Sequence, residues 1–281
     1  MILPRLITAL VGVPLVLLAL WWGQIPFFIL FLGIILLALY EYLTLTDEAG
    51  WPILKFSGLV LGGFLSISIF LFGTQMSFVR SPHSEIYFTP TAISAVLLLL
   101  IFPALFRRKK DDAFQSVAHT FLGIFFVVWG LSHLYLIRDI RPDGRGLTFL
   151  LFLTIWAIDI GAYAGGVKFG RTKLCEKVSP KKTWEGTAAG SLAGLLTAFS
   201  VRQALLPEIS LAQTAGLAVL IICFAQLSDL AESLFKRNIG VKDSGTLLPG
   251  HGGLLDRFDS FLLTAPAYFY TLVFMFPSES L

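Results

Sequence analysis

Long apolar runs alternate with short polar connections along this chain. An apolar run of about 18 residues can cross the hydrocarbon of a bilayer as a helix. The runs predict nine transmembrane helices, at 6–22, 25–40, 56–73, 90–106, 117–137, 147–166, 187–206, 211–230 and 258–276. The second run is the shortest, and Pro26 lies near its start. We therefore expect an all-α polytopic integral membrane protein with about nine transmembrane helices.

The composition indicates the same class of protein. Of the 281 residues, 56% are hydrophobic and 14% are charged, whereas soluble domains carry about 25% charged residues. The first run follows Arg5 and could be mistaken for a signal peptide, but no small-x-small cleavage site follows it. Trp21 and Trp22 at its end are typical of interfacial anchors. We expect this run to be retained as a helix.

The positive charges predict an orientation in the membrane. With nine helices, the N-terminus and the loops after helices 2, 4, 6 and 8 share one side, and that side holds most of the 21 Lys and Arg residues. The positive-inside rule places this side in the cytoplasm. The resulting expectation is a bacterial-type inner (plasma) membrane protein, with its N-terminus and polar loops cytoplasmic and its C-terminus outside.

Two long polar loops on that side carry the candidate chemistry. The loop 167–186 has six cations against Glu176 and Glu185, which suits a phosphate-binding surface. A loop that follows the positive-inside rule, or a patch for anionic lipid, would look the same from its basic residues alone. Between Glu232 and Asp259 the charges are mixed and balanced, which suits a metal and a phosphate group bound together. The two loops are the predicted active site.

Three acids lie within or at the ends of apolar runs, namely Asp159, Asp229 and Asp259. Ionisable groups at membrane depth are costly and usually functional. Asp229 shares a helical face with Glu232 and Ser233, and a helix starting near Leu255 would show Asp256 and Asp259 on one face. Mg²⁺ takes one or two carboxylates together with phosphates and water. An ion-pair partner for Lys or Arg is the alternative role for each acid.

Glycines give weaker signals. The turn PGHGG at 249–253 lets backbone N–H groups approach a ligand, and His251 either donates to a phosphate or stabilises the turn. The spacing is not that of a Walker A motif. Gly186, Gly190 and Gly194 form a small-xxx-small ridge, as do Gly161 and Gly165, and both ridges predict close helix packing.

The spacing of these residues resembles a known family. The long motif is Ser233-x-x-Lys236-Arg237-x4-Lys242-Asp243-x5-Pro249-Gly-His-Gly-Gly253-x2-Asp256-Arg257-x-Asp259, and upstream stand Asp159-x-x-Ala162-Tyr163-x-x-Gly166, Phe169-Gly170-Arg171 and Ser179-Pro-Lys-Lys-Thr-Trp-Glu-Gly186. Together they resemble the signature of phosphatidate cytidylyltransferases, also called CDP-diacylglycerol synthases. The likeness is close from about 155 to 262. Ser228 stands where the family pattern has Gly, and Cys175-Glu176 where it commonly has Ala-Pro.

The resemblance implies an enzyme that joins CTP to phosphatidic acid, giving CDP-diacylglycerol and pyrophosphate, with Mg²⁺ as cofactor and room for a second cation. Asp229 and Asp256 are the expected metal ligands, with Asp159, Asp243 and Asp259 as further ligands or orienting groups. The expected substrate-binding residues are Arg171, Lys173, Ser179, Lys181, Lys182 and Thr183, with Tyr163 as a candidate for stacking on the base. The phosphatidate head and the reacting phosphorus are expected to meet Lys236, Arg237, Lys242, His251 and Arg257.

These residues predict that the two parts of the chain have different roles. Segment 1–145, with helices 1–5, is expected to provide lipid access or a dimer face, and segment 146–281, with helices 6–9, to provide catalysis. The expected partners are CTP, phosphatidic acid and membrane lipid, with no nucleic acid, and a homodimer is left open.

Three alternatives are carried beside this interpretation. A cation-coupled transporter would use Asp159 and Asp229 as an ion path, but transporters often show two related halves, and 1–145 holds nothing comparable. A nucleotidyl- or phosphotransferase acting on a polyprenol would need a similar polar cluster. A scaffold that binds anionic lipid without turnover would tolerate loss of Asp229 or Asp256.

Overall fold

The computed structural model describes residues 3–74, 84–106, 112–140, 143–245 and 252–275, and in these ranges the chain is almost entirely helical. The helices are α1 (Leu3–Trp22), α2 (Gln24–Glu48), α3 (Lys55–Gly73), α4 (Ser84–Leu105), α5 (Ala113–Gly123), α6 (Gly130–Asp139), α7 (Gly144–Phe169), α8 (Trp184–Leu205), α9 (Leu211–Asn238), α10 (Leu255–Phe258) and α11 (Phe261–Met275). A π-helical segment, Ile124–Trp129, joins α5 to α6.

Every predicted apolar run is helical over most of its described length, and the polytopic all-α class is confirmed. In the described ranges, seven helical segments are long and apolar enough to cross a membrane, so the count of nine is not confirmed. Within α1, Leu10–Trp22 is a shorter apolar helical stretch, and α8 is not among the seven. The many Gly, Ala, Ser and Thr residues of α8 make it less hydrophobic than its neighbours.

The chain divides into two compact units. Unit 1 comprises Met1–Asp139 and Asn238–Phe258, and unit 2 comprises Ile140–Arg237 and Asp259–Leu281. The motif segment around Asp256 therefore belongs to the same unit as the N-terminal helices. The predicted division between 1–145 and 146–281 concerns the roles of the two segments, and it stays a prediction.

Helix α2 lies at the centre of unit 1, where it contacts α1, α3, α5, α6 and α10. Its side chains Phe27, Phe31, Ile35 and Leu39 are fully buried, and the Phe31 ring meets that of Phe258 edge-on, with centroids 5.6 Å apart. Pro26 falls in the first turn of α2, where a missing N–H leaves no hydrogen bond unmade. The run with the least secure sequence signal is thus a helix of 25 residues.

Helices α7 and α8 of unit 2 pack along each other through their glycines, as the two small-residue ridges predict. A Cβ on Gly190 would lie 2.6 Å from the backbone oxygen of Ile158, and one on Gly161 would lie 2.7 Å from the Cβ of Ala193. Small residues let helix backbones approach this closely. The contact fixes α7, which carries Asp159, against the helix that begins at Trp184.

Replacing Gly190 with Ala should therefore destabilise unit 2. We expect a loss of about 1–3 kcal/mol, because the added methyl group cannot fit without moving one helix. The measurement is the thermal unfolding midpoint in detergent. Gly216→Ala is the matched control: Gly216 lies in helix α9 with no atom within 4 Å of the added Cβ, so this change should be neutral or stabilising by about 1 kcal/mol. Equal effects of the two changes would contradict the close packing.

The polar segment between α7 and α8 differs from the predicted loop, because it forms an antiparallel hairpin. Strand β1 (Lys173–Cys175) pairs with β2 (Ser179–Thr183), with Lys173 opposite Thr183 and Cys175 opposite Ser179. The backbone N–H of Trp184 donates to the Thr172 oxygen at 3.0 Å and closes the base of the hairpin. The paired strands therefore hold the basic side chains of the hairpin on a regular backbone.

Candidate active site

The base of the hairpin is held by the first turn of α8. Thr183 is the N-cap of this helix, and its Oγ1 accepts from the Gly186 N–H at 3.2 Å. The Glu185 carboxylate accepts from the N–H groups of Arg171 at 3.0 Å and Thr172 at 3.1 Å. Thr183, expected as a hydroxyl donor to substrate, thus has a capping role in the structure. Glu185 ties the turn carrying Arg171 to the start of α8.

These hydrogen bonds hold the charged form of Glu185. The backbone N–H groups of Arg171 and of Glu185 itself, followed by that of Thr172, lower the pKa of the carboxyl from 4.5 to about 2. Because the pKa of Glu185 is lower in the folded state than in the unfolded state, the ionised carboxyl stabilises the fold at pH values above about 4.5. This stability is lost as the pH falls from about 4.5 through about 2.

Glu185→Gln should therefore remove a pH-dependent part of the stability. We expect the unfolding midpoint of the wild type to exceed that of the variant at pH 7, and the difference to shrink as the pH is lowered through this window. The measurement is thermal unfolding in detergent at a series of pH values. Glu208→Gln is the control, since Glu208 is an exposed acid of the same unit. A difference independent of pH would contradict the bonds to the charged carboxylate.

A cation of the hairpin meets an acid of α9. The Lys182 Nζ lies 2.7 Å from Oδ2 of Asp229, and each side chain is 26% exposed. One turn further along α9, the Lys236 Nζ lies 2.7 Å from Oε2 of Glu232, with Glu232 fully buried. The Ser233 hydroxyl donates to Oδ1 of Asp229 at 3.4 Å. The predicted shared face of α9 is confirmed, and each of its two acids pairs with a Lys side chain.

Asp259 adds a further acid to this cluster in unit 2. The carboxyl groups of Asp229, Glu232 and Asp159 all lie near enough to exert an electrostatic effect on the Asp259 carboxyl. Oδ1 of Asp259 accepts from the Ser260 N–H at 2.6 Å. Three carboxyl groups on two helices thus lie within electrostatic reach of Asp259, and two of them pair with Lys side chains. Carboxylate oxygens are the donors that a divalent cation such as Mg²⁺ prefers.

Ser228 explains one departure from the family pattern. Its hydroxyl donates to the Asp259 backbone oxygen and accepts from the Leu263 N–H at 3.0 Å. Ser228 therefore fastens the first turn of α11 to α9 directly beside Asp229. This supports the geometry of the acid cluster, where Gly could offer no such bond.

Arg237 and the exposed cations complete the site in unit 2. The Arg237 Nε donates to the Val178 oxygen at 3.2 Å, which attaches the tip of the hairpin to α9. The side chains of Arg171, Lys173, Lys181, Asp159 and Tyr163 are exposed, and Ser179 is partly buried. The hairpin thus offers basic side chains beside the acid cluster.

The remaining candidates lie on or directly after the motif loop, residues 242–256, in unit 1. Oδ2 of Asp256 accepts from the N–H groups of Ser244 at 2.9 Å and Gly253 at 3.0 Å, so it joins the two described parts of this loop, 242–245 and 252–256. Lys242, Asp243 and Arg257 are exposed. His251 and most of the PGHGG turn lie outside the described residues. Asp229 belongs to unit 2 and Asp256 to unit 1, and their joint binding of a metal stays a prediction.

Two expectations about the acids need qualification. The helix predicted to carry both Asp256 and Asp259 is interrupted: α10 ends at Phe258, and Asp259 lies in the turn before α11, because its side chain bonds to the next backbone N–H. Among the described residues, no group of three His, Cys, Asp or Glu side chains is close enough to hold a metal by itself. Mg²⁺ fits this donor set only with ligands from phosphate and water, which is its usual coordination.

Three acids with defined partners carried no predicted role. Glu185 clamps the hairpin and Glu232 pairs with Lys236. Glu41 lies in α2 and accepts hydrogen bonds from the motif loop. The only sequence signal for Glu41 is an acid that directly follows the apolar run 25–40, where an interfacial position is the simpler interpretation.

Comparison with known proteins gives a consistent family. The model of a family described as "Cytidylyltransferase family" matches residues 3–275. The chain is 37% identical over 255 residues to a phosphatidate cytidylyltransferase of Bacillus subtilis, covering 89% of this chain and 90% of that protein. It is 32% identical to one of Haemophilus influenzae, covering 97% and 100% respectively. The similarity thus includes the N-terminal helices as well as the motif region.

Proposed function

The chain belongs to the cytidylyltransferase family, and we propose that it transfers the cytidylyl group of CTP to phosphatidic acid, giving CDP-diacylglycerol and pyrophosphate. The observation that carries this function is the Lys182–Asp229 pair, 2.7 Å apart, which joins the basic hairpin to the acid cluster. Phosphate-binding cations beside metal-binding carboxylates are what the reaction of two anionic substrates requires.

The reaction needs little acid–base chemistry. The phosphate of phosphatidate, with a second pKa near 6, is largely ionised at neutral pH and can act as nucleophile without a strong base. One of its oxygens attacks the α-phosphorus of CTP in line with the departing group. The new P–O bond forms as the bond to the β-phosphate oxygen breaks, and pyrophosphate leaves with the electron pair.

The basic residues bring the substrates together and offset their charge. Arg171, Lys173, Lys181 and Lys182 bind the triphosphate, with Ser179 and Thr183 beside them, and Tyr163 stacks on the cytosine. Lys236, Arg237, Lys242, His251 and Arg257 neutralise the lipid phosphate and the reacting centre. The Glu185 clamp supports the first group because it fixes the backbone at Arg171. The exposure of Arg171, Lys173 and Lys181 supports their contact with a nucleotide from the aqueous side.

Asp229 and Asp256 are the proposed Mg²⁺ ligands, with Asp159, Asp243 and Asp259 as further ligands or orienting groups. A bound divalent cation supplies Lewis-acid stabilisation of negative charge on phosphoryl oxygens. Carboxylate oxygens are the donors that Mg²⁺ prefers, so the acids present fit this cofactor. A second cation would find further carboxylates in the acid cluster of unit 2.

The protein is an integral membrane protein, and the proposed location is the inner membrane with a cytoplasmic active site. Nine crossings would place the N-terminus inside and the C-terminus outside, in agreement with the distribution of Lys and Arg. CTP then arrives from the cytosol, and phosphatidate from the adjacent leaflet with its acyl chains in hydrocarbon. Light scattering of the purified protein distinguishes a monomer from a homodimer.

A pyrophosphate-release assay on the purified protein in detergent tests the function. We expect release that requires CTP, phosphatidic acid and Mg²⁺ together, with radiolabelled CDP-diacylglycerol recovered in the lipid phase. Omission of lipid and addition of a chelator are the controls, and a polyprenyl phosphate is the alternative acceptor. Turnover only with the polyprenyl phosphate, or none in folded protein, would overturn the proposal.

A further inference from the structure

Glu41 is an acid buried in the N-terminal part of the chain, and its carboxylate is bonded to the motif loop. Its side chain lies in α2 and is 7% exposed. Oε1 accepts from the Leu254 N–H at 2.8 Å, and Oε2 accepts from the Leu255 N–H at 2.8 Å and from the Ser244 hydroxyl at 3.2 Å. All of these residues belong to unit 1. We propose that Glu41 is a positioning residue for the motif loop and, through Ser244, for Asp256.

Ser244 connects the two carboxylates. Its hydroxyl donates to Glu41 and accepts from the Asp256 N–H at 3.2 Å, while its own N–H donates to Oδ2 of Asp256 at 2.9 Å. Ser244 is 2% exposed, so water does not readily replace these bonds. A change at Glu41 therefore reaches Asp256 through the Ser244 side chain and through the bonded backbone at Leu254 and Leu255.

The loop also approaches Glu41 closely along its backbone. A Cβ on Gly253 would lie 2.6 Å from Oε2 of Glu41, and one on Gly245 would lie 3.1 Å from Oε1. Without a Cβ, the backbone at both positions can lie this close to the Glu41 carboxylate. Gly245 and Gly253 thus allow the loop to lie against Glu41, in addition to any approach of the loop to a substrate.

The proposed role of Glu41 follows from the candidate functional residues on the motif loop. Lys242, Asp243, Asp256 and Arg257 are all within or directly beside the segment that Glu41 holds. Hydrogen bonds to an ionised acceptor are stronger than neutral ones, and leaving buried N–H groups without an acceptor is costly. Catalytic groups must be held to within a fraction of an ångström to be effective. This inference rests on the proposed function, in which those four residues act on the substrates.

The test compares Glu41→Gln, Glu41→Ala and Ser244→Ala in the full-length protein. Gln offers one oxygen where Glu41 offers two, so at least one loop N–H loses its acceptor. Glu48→Gln is the matched control, because Glu48 is an exposed acid of the same helix. Three quantities are measured in detergent: hydrogen exchange of the Leu254 and Leu255 amides, the unfolding midpoint, and kcat and KM for CTP with phosphatidic acid.

For Glu41→Gln we expect exchange of at least one of those two amides to rise about tenfold, with exchange in the helices unaffected. We expect kcat to fall about tenfold with KM for CTP nearly unchanged, and a further fall in Glu41→Ala. Ser244→Ala should lower kcat as well, and the double variant Glu41→Gln/Ser244→Ala should lose less than the product of the two single effects. Glu48→Gln should match the wild type.

Other outcomes overturn the proposal. Unchanged exchange at Leu254 and Leu255 in Glu41→Ala would mean that the carboxylate does not hold the loop. A lower unfolding midpoint with unchanged kcat per folded molecule would reduce Glu41 to a purely structural residue. Lack of wild-type turnover would count against the proposed function alone, since the exchange measurement tests the contact without any substrate.

Discussion

Replacing Asp229 with Asn is expected to lower kcat about a thousandfold and to leave the protein folded, as judged by its unfolding midpoint. A thousandfold loss corresponds to about 4 kcal/mol of barrier. The ion pair with Lys182 is partly exposed, and such pairs contribute only about 0–1 kcal/mol of stability. The stability lost with the ion pair is therefore too small to unfold the protein, so it cannot explain the fall in kcat. Loss of a metal ligand is sufficient to explain it.

Asp143→Asn is the matched control for this change. Asp143 precedes α7 in the same unit, and its side chain makes no capping bond to that helix. We expect its kcat to stay within about twofold of the wild type, as for most surface substitutions. A similar loss in both variants would point to a general effect of the lost charge, and turnover retained in Asp229→Asn would favour a structural role for Asp229.

Exchanging the two charges separates structure from chemistry more sharply. In the double variant Lys182→Asp/Asp229→Lys, an ion pair can form again with reversed polarity. If the pair served only to attach the hairpin to α9, turnover would return with stability. We expect stability to recover and turnover to stay low, because an ammonium group at 229 cannot bind a cation and a carboxylate at 182 repels the triphosphate.

The helices could be predicted from the sequence because hydrophobic length is a local property. Each apolar run is helical over most of its described length, including the run that contains Pro26. The number of membrane crossings was less certain. Helix α8 carries so many small residues that its ability to cross the lipid depends on the helix that packs against it. Its glycines predicted close packing correctly, and the structure identifies α7 as the neighbour.

The site could be predicted only in part, because its residues come from distant segments. Spacing along one helix placed Asp229, Glu232 and Ser233 on one face, as the structure has them. Spacing gave no means of finding the Lys182–Asp229 pair or the hairpin register, which depend on tertiary contacts. Glu41 is more than 200 positions from the loop that it contacts, and no local pattern could reveal that bond.

Asp256→Asn is the second change with a large expected effect, and here the loop itself should survive. Oδ2 of Asp256 accepts from Ser244 and Gly253, and the amide oxygen of Asn can accept both bonds. The charge is lost, and an NH₂ group replaces the other carboxylate oxygen. We expect kcat to fall about a thousandfold, and the rise of the unfolding midpoint with added Mg²⁺ to shrink, since a ligand that binds only the folded state stabilises it.

Two further variants decide what that loss would mean. Asp47→Asn removes an exposed acid of the same unit and should keep both turnover and the Mg²⁺-dependent shift. Asp256→Ala removes the acceptor as well as the charge, so it should add faster hydrogen exchange at Ser244 and Gly253 to the loss of turnover. If Asp256→Asn kept its Mg²⁺ shift and lost turnover only together with faster exchange, Asp256 would be an organiser of the loop. Loss of the shift with unchanged exchange is the result expected of a metal ligand, because only the charge has then been removed.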